Sequence, residues 1–298
     1  MVTSVRKSKV ISLQEATNLV KDGMMLAIGG AAIRDAPNAF VRELIRKGVK
    51  ALIIVPTNSS GYHVDMLVGA GCVKTLYTSY VGLDYIGAAP NFRRLAESGK
   101  LDVVEFDETG LLRALKAGGT GVAFLPLPDG MRAVDVVRAN PDFYKEIDDP
   151  FSGRKVVVVP PIRPDIAVIH KAKCDAYGNA REIGHIGAEE ILYQAAEKVI
   201  VTTEEIVPLE DTRAHYREVT VFGHLVDAVV EVPYGAHPAD CQGCYQLDEE
   251  HLREYQEAAR EEATFKQYLD KYVYGCKNHE EYLERIGIAS KILKLRYF

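Results

Sequence analysis

Short apolar runs alternate with helix-like segments along the first 128 residues, and this alternation restricts the fold more than any other feature. The segment "KALIIVPT", residues 50–57, is a continuous apolar run, which is typical of a strand buried on both faces. In "PNAFVRELIRKG", residues 37–48, the apolar residues instead recur at helical spacing. The chain is therefore predicted to be an α/β protein with an open, mostly parallel sheet, helices on both faces and a helical C-terminal tail.

Local signals define where two of the helices begin and end. In "SLQEATNLVKDG", Ser12 is the predicted N-cap, Glu15 completes a capping box, and Gly23 lies at the C-terminal end. In the segment at 37–48, Pro37 is predicted at the first helical position and Gly48 at the end. The predicted buried stripe of this second helix consists of Phe40, Val41, Leu44 and Ile45.

The whole chain, residues 1–298, is predicted to form a single domain. Residues 128–154 interrupt the alternation with three prolines and two glycines, so we expect an irregular insertion there. Residues 248–298 form a charged, helical C-terminal extension that packs on its own domain or on a partner. The predicted buried stripe of this extension consists of Leu252, Tyr255, Ala259, Tyr268, Leu269 and Tyr272.

Composition excludes several functional classes. The net charge of −6 gives no electrostatic reason to bind nucleic acid or an anionic membrane. No apolar run approaches the roughly 20 residues of a membrane-spanning helix, and the N-terminus has no apolar signal-peptide core. The five cysteines are an odd number without a disulfide framework, which indicates a cytoplasmic protein.

The segment "AIGGAAIRDAPNAF", residues 27–40, joins a predicted strand to a predicted helix through two glycines. Such a turn brings backbone N–H groups and a helix N-terminus to one place, where they can hold an anion. Gly29, Gly30 and Ala31 would supply the amides, and Arg34 adds a positive charge. The dinucleotide motif G-x-G-x-x-G and the P-loop are both absent. A strand-to-helix turn without any ligand remains an equal alternative.

Further segments follow in a specific order: "MLVGAGCVKTLYTSYVG", "VIHKAKCDAYGNA", "VIVTTEEIVP", "VDAVVEVPYGAHP" and "CYQLDEEHLREY". In this order the chain resembles the α subunit of the two-subunit family I coenzyme A transferases, of the glutaconate CoA-transferase type. The resemblance extends from about residue 10 to residue 275. It implies an open α/β sheet flanked by helices, in agreement with the pattern of the sequence.

The resemblance implies transfer of CoA from an acyl-CoA to a carboxylic acid through a glutamyl-CoA intermediate. The nucleophilic glutamate is expected in a β-type partner, so a heterodimer or heterotetramer would be the active form. Coenzyme A would be a substrate, with no permanently bound cofactor. Gly29 and Gly30 would be donors to an oxyanion or a substrate carboxylate, and Arg34 is chosen by position and charge. The acyl group is not defined by the sequence.

Two alternatives remain open. Some relatives of these α subunits hydrolyse a carbon–carbon bond in a CoA thioester of steroid-ring breakdown, and an α-subunit glutamate is implicated. The segment "VVEFDETGLLRAL" resembles that region, with Glu105 as the first candidate base and Glu108 as the second. The other alternative is a non-catalytic subunit that binds CoA esters or stabilises another chain.

Several polar residues have both a functional and a structural interpretation. Asn58 and Ser59 follow a buried strand and are predicted to line the pocket, and Tyr80 is a further candidate for substrate contact. The set Cys241, Cys244, Cys276 and His279, with His237 nearby, has zinc-like spacing, but the resemblance implies no metal. Three other histidines beside apolar strands are predicted to be core residues: His170, His185 and His224.

Overall fold

The structure is a computed structural model that describes residues 6–184 and 187–295. Its strands are β1 (Met25–Ile28), β2 (Leu52–Pro56), β3 (Val73–Thr78), β4 (Asp102–Glu105), β5 (Leu125–Pro126), β6 (Lys145–Asp148), β7 (Lys155–Val159), β8 (Ile166–Asp175), β9 (Ala180–Arg181), β10 (Lys198–Val207), β11 (Val219–Val221) and β12 (Ala228–Glu231). Its α-helices are α1 (Leu13–Thr17), α2 (Asn38–Lys47), α3 (Tyr62–Gly69), α4 (Pro90–Glu97), α5 (Glu108–Thr120), α6 (Asp135–Ala139), α7 (Glu189–Ala195), α8 (Leu209–Ala214), α9 (Glu249–Ala258), α10 (Glu262–Leu269), α11 (His279–Arg285) and α12 (Ile288–Leu295).

The central sheet is open and mostly parallel, as predicted. Seven parallel strands lie in the order β12–β10–β8–β1–β2–β3–β4. From β1 the chain first extends the sheet through β2, β3 and β4, and later through β8, β10 and β12 on the other side. The order therefore reverses between β1 and β8. The short strand β9 pairs antiparallel with the second half of β8, and β11 pairs antiparallel with β9.

Helices cover both faces of the sheet, as the continuous apolar runs predict. Along β1, Leu26 and Ile28 point into a core formed with α1, α2, α3 and the C-terminal helices. Ala27 points into a second core formed with α5 and α7. The alternation of strand side chains thus supplies two apolar faces from one segment.

Of the four predicted helix ends, those at Ser12 and Gly48 are confirmed, and those at Gly23 and Pro37 are wrong. Ser12 caps α1, and Glu15 closes the capping box by accepting from the Ser12 amide at 2.8 Å. This helix ends at Thr17, earlier than predicted. The second helix starts at Asn38, so Pro37 precedes the first helical residue. Gly48 ends it in the left-handed conformation, with φ of 76°.

The alternation of strands and helices wrongly predicts a further strand of the central sheet near residue 125. The segment "GVAFLPLP" forms only the two-residue β5, which pairs antiparallel with β7 in a separate sheet of order β5–β7–β6. Pro126 and Pro128 lack the N–H groups that a strand within the central sheet would donate, which explains the difference. The 128–154 interval contains α6 and β6.

The C-terminal extension packs on the rest of the chain. All six residues of its predicted stripe, residues 252–272, are at most 5% exposed and belong to the first core. The extension therefore contributes to the same core that supports β1 and α2. Among the described helices, none combines the length and apolar character needed to cross a membrane.

Candidate functional site

A cleft of about 360 Å³ opens at the carboxyl ends of the parallel strands, beside the point where the strand order reverses. Gly30 follows β1, Thr57 follows β2, Asp84 lies beyond β3 and Glu108 follows β4, and all four line the cleft. Ligands of open α/β sheets bind at such a reversal because adjacent loops turn to opposite faces of the sheet and leave a crevice. The cleft is therefore the candidate active site.

The turn after β1 requires both of its glycines. Gly30 has φ of +91°, and a Cβ there would lie 2.6 Å from the Cα of Ala36. A Cβ on Gly29 would overlap the Oε1 atom of Glu189 and lie 2.9 Å from Cγ2 of Ile169. The Ala36 backbone and the Glu189 carboxylate thus lie so close to the turn that neither glycine could carry a side chain.

The amides of this turn are bonded within the chain. The Gly29 N–H donates to the Val168 carbonyl at 2.8 Å, and the Ala31 N–H donates to the Arg34 carbonyl at 2.9 Å. The Gly30 N–H donates to Oε1 of Glu189 at 2.6 Å. Gly30 and Ala31 do line the cleft. A substrate anion that uses the Gly30 amide, as the sequence analysis expects, must therefore displace a carboxylate of this chain.

Charge in the cleft is unbalanced. Arg34 lines it with a side chain that is 52% exposed, and its nearest carboxylate is that of Asp84, at 3.9 Å. Among the described lining residues, Arg34 is the one lysine or arginine, against five acids. These acids are Asp35, Asp84, Glu108, Glu182 and Glu189. A bound anion is thus attracted by Arg34 and repelled by most of the surrounding wall.

The residues after β2 are in the cleft, as predicted. Asn58 and Ser59 both line it. The Asn58 amide donates to Oε1 of Glu108 at 2.7 Å. Thr57, which the sequence analysis did not select, donates from Oγ1 to the Gly30 carbonyl at 2.6 Å and joins the two loops.

Tyr80 and Glu105 are not among the described residues that line the cleft. Tyr80 is 43% exposed and packs closely over Gly82. Glu105 is exposed at the end of the edge strand β4, where its backbone carbonyl accepts a hydrogen bond from Asn140 at 2.9 Å. Of the two glutamates in that segment, the structure brings Glu108 to the cleft and leaves Glu105 outside it.

A buried lysine contacts two carboxylates that line the cleft, and this cluster was not among the predicted site residues. Lys171, in the middle of β8, is 2% exposed and donates to Oε2 of Glu182 at 2.7 Å and to Oε2 of Glu189. Burial lowers the pKa of Lys171, but the two carboxylates outweigh burial and hold that pKa above its ordinary value. Burial raises the pKa of Glu182 to about 7, against the opposing effect of Lys171. The sequence feature that indicates this cluster is the lysine inside the apolar run "IAVIHKAKC", because a buried ammonium needs an anionic partner.

Comparison with known proteins shows that residues 10–232 match the family model described as Coenzyme A transferase. The chain belongs to the coenzyme A transferase family. It is 32% identical to the A subunit of the glutaconate CoA-transferase of Acidaminococcus fermentans, over 97% of this chain and 95% of that one. The crystal structure of that organism's glutaconate CoA-transferase superposes with a TM-score of 0.90, covering 98% of this chain and 96% of that one at 32% identity.

Other members of the family differ in length or in the reaction in their names. An uncharacterized protein of Archaeoglobus fulgidus is 38% identical over 97% of this chain, which spans only 64% of that protein's length. The IpdA subunit of a cholesterol ring-cleaving hydrolase of Rhodococcus jostii is 31% identical over 92% of this chain and 94% of that one. Membership of the family thus fixes the fold more firmly than the substrate.

The cysteine and histidine set considered for zinc does not assemble in this family member. Cys276 donates to the Lys271 carbonyl at 3.7 Å, and Nε2 of His279 is 2.7 Å from the Pro233 carbonyl oxygen. Among the described residues, the potential metal ligands that lie within 4.8 Å of one another are His170, Glu204 and Cys241.

Of the other histidines that the sequence analysis names, His170 and His237 are buried and His224 is exposed. His170 is buried between Thr202 and Glu204, at 2.9 and 2.8 Å, as expected of a core histidine. His237 is also buried and contacts the Tyr282 hydroxyl at 2.7 Å. His224 is exposed in a short 3-10 turn, so its prediction as a core residue was wrong. His185 lies outside the described residues.

Proposed function

We propose that this chain is the α subunit of a two-subunit CoA transferase that moves CoA between an acyl-CoA and a carboxylic acid. The observation that carries the proposal is the nearly full-length structural match to the glutaconate CoA-transferase of Acidaminococcus fermentans. The cleft of this chain supports the same function, because a glycine turn and an arginine meet at the carboxyl ends of the strands, where a substrate acid has access.

The proposed chemistry is covalent catalysis by a glutamate of the partner subunit. That carboxylate attacks the thioester carbonyl, the C–S bond breaks, and CoA leaves as a thiolate with an acyl anhydride remaining. The thiolate then attacks the glutamyl carbonyl of the anhydride, which releases the first acid and forms a glutamyl-CoA thioester. The acceptor carboxylate then attacks the glutamyl-CoA thioester and releases the CoA thiolate. The thiolate attacks the acceptor's carbonyl in the new anhydride, which forms the new acyl-CoA and frees the glutamate. One thioester replaces another, so no ATP is consumed.

The proposed contribution of this chain is to hold the acyl group. The Arg34 guanidinium is the group best suited to attract the carboxylate of the acceptor acid, because it is half exposed and only loosely paired with Asp84. Ser59 and Asn58 offer further polar contacts from the lining of the cleft. The Gly30 amide contributes only when Glu189 releases it.

The partner is proposed to be a β-type CoA-transferase subunit, in a heterodimer or a heterotetramer. We infer a cytoplasmic location from the cysteines: all five are free thiols, as expected in a reducing compartment. The hydrolase alternative with Glu105 as its base is not favoured, since Glu105 is not among the described residues that line the cleft and lies at the exposed end of the edge strand. The negative net charge offers no support for a nucleic-acid partner.

The test is reconstitution with a β-type subunit, beginning with the product of the neighbouring reading frame. The purified complex is incubated with a panel of acyl-CoA donors and acceptor acids, and new CoA esters are measured by mass spectrometry. The proposal expects a new CoA ester and a glutamyl-CoA adduct on the partner. A stable complex without transfer to any acid of the panel would refute it, and transfer by this chain alone would refute the need for a partner.

A further inference from the structure

The buried cluster of Lys171, Glu182 and Glu189 contains one more carboxylate than it has ammonium groups. Its single ammonium contacts two carboxylates, and the side chains of all three residues are at most 8% exposed. With both carboxylates ionised, the cluster carries a net charge of −1 away from bulk water. A buried excess charge is costly, and the usual relief is the uptake of a proton by one carboxylate.

The hydrogen bonds indicate which carboxylate takes up the proton. Glu189 uses both of its oxygens as acceptors, Oε1 for the Gly30 N–H and Oε2 for the Lys171 ammonium. Glu182 accepts from Lys171 through Oε2, and its Oε1 has no hydrogen-bond partner within the described ranges 6–184 and 187–295. A proton placed on Oε1 of Glu182 therefore breaks no existing hydrogen bond. The raised pKa of Glu182 agrees with this assignment.

The position of Glu182 links this proton to the cleft. Glu182 and Glu189 both line the cleft, and together with Lys171 they also line a second cavity of about 280 Å³. The titratable or charged side chains that line either cavity together with Glu182 are Arg34, Asp35, Asp84, Glu108, Lys171, Glu189, Glu190, Tyr193 and Arg217. An anion entering the cleft would add to the repulsion from Glu189 and Asp35, and so would favour the neutral form of Glu182.

We propose that Glu182 is the proton-holding residue of the cleft: it takes up one proton when an anionic acyl substrate binds and donates the new O–H to an oxygen of that anion. The assignment rests on the proposed function for the identity of the anion, a carboxylic acid acceptor. The step is balanced, because the proton comes from solvent on binding and returns to solvent on release. Its consequence is that the acidic cleft accepts a carboxylate without gaining charge.

The first experiment needs only this chain. Glutamate labelled with ¹³C at the carboxyl carbon is incorporated, and each resonance is followed by NMR between pH 4 and 9. One carboxyl is expected to titrate near neutral pH, to disappear in Glu182→Gln and to remain in Glu205→Gln. Glu205 is a matched control, since it also pairs with a lysine, at 3.5 Å, but is 58% exposed. If Glu182→Gln does not fold, Glu182→Asp, whose aspartate carries no labelled carboxyl, should remove the same resonance and so make the same assignment. The absence of any carboxyl titrating near neutral pH, or its persistence in Glu182→Gln, would overturn the proposal.

The second experiment uses the assembled complex. If one proton accompanies each acid, the KM for the acceptor acid rises about tenfold for every pH unit above the midpoint. Glu182→Gln should abolish this slope, and Glu205→Gln should retain it. An unchanged slope in Glu182→Gln would overturn the coupling. A complex that transfers no CoA would instead refute the proposed function, while the NMR titration still decides whether Glu182 holds the proton.

Discussion

Replacing Gly30 by alanine should destabilise the chain through two separate effects. The residue has φ of +91°, and an L-residue in that region costs about 1–2 kcal/mol. The new Cβ would also lie 2.6 Å from the Ala36 Cα and 2.7 Å from its Cβ, contacts that are too short to persist. Because the obstacle includes backbone, relief requires a shift of the turn, which typically costs about 1–3 kcal/mol. The expected total is about 2–5 kcal/mol.

The chain contains a matched control that separates the two effects. Gly23 also has positive φ, +78°, but a Cβ there meets nothing within 4 Å. Gly23→Ala should therefore show only the conformational cost, and the difference between the two variants measures the overlap at Ala36. The assay is urea unfolding followed by circular dichroism, with free energies extrapolated to water. Equal losses in Gly23→Ala and Gly30→Ala would refute the close approach of backbone at Gly30.

Three further predictions concern charge. Arg34→Gln in the reconstituted complex should raise the KM for the acceptor acid about 10- to 100-fold, the value of a lost charged hydrogen bond, whereas Arg93→Gln, a surface arginine paired with Glu97, should not change the KM. Lys171→Met should cost about 3–5 kcal/mol because it leaves two buried carboxylates without a cation, and the loss measured by urea unfolding should grow above pH 7. Burial lowers the pKa of His63 to about 3 and of His237 to about 4, so below pH 6.5 the unfolded chain binds more protons than the folded chain. The free energy of unfolding should therefore fall as the pH drops from 6.5 toward 4, and a flat pH profile in this range would contradict the prediction.

The inner strands and the helices beside them could be predicted from local patterns because these strands are buried on both faces. The run of Leu52 to Val55 has no polar position, and the structure places it between two cores. The caps of α1 and α2 were equally local, since Ser12 and Glu15 are three residues apart and Gly48 acts through its own φ. Prediction failed at Leu125–Pro126, where the missing N–H of a proline outweighed the apolar pattern.

The cleft was predictable only in part. Asn58, Ser59 and Arg34 follow strands that the sequence defines, and all three line the cleft. Glu105 also ends a strand, but it is exposed at the end of β4, whereas Glu108, three residues later, lines the cleft. Which residue of such a segment reaches the cleft depends on the path of the loop after the strand, and the apolar pattern of the strand does not encode that path.

The chemistry of the glycine turn depends on a residue that is distant in the sequence. From the sequence alone, Gly30 offers a free N–H at a helix N-terminus, and an external anion is the natural acceptor. The structure gives that N–H to Glu189, 159 residues later, and Lys171 fixes the same carboxylate from β8. A buried donor has to be satisfied in the unliganded chain, and a carboxylate satisfies it better than water can. The glycine turn is therefore stable in the unliganded acidic cleft because the chain supplies its own carboxylate, and the proposed substrate acid would have to compete with Glu189 for the Gly30 amide.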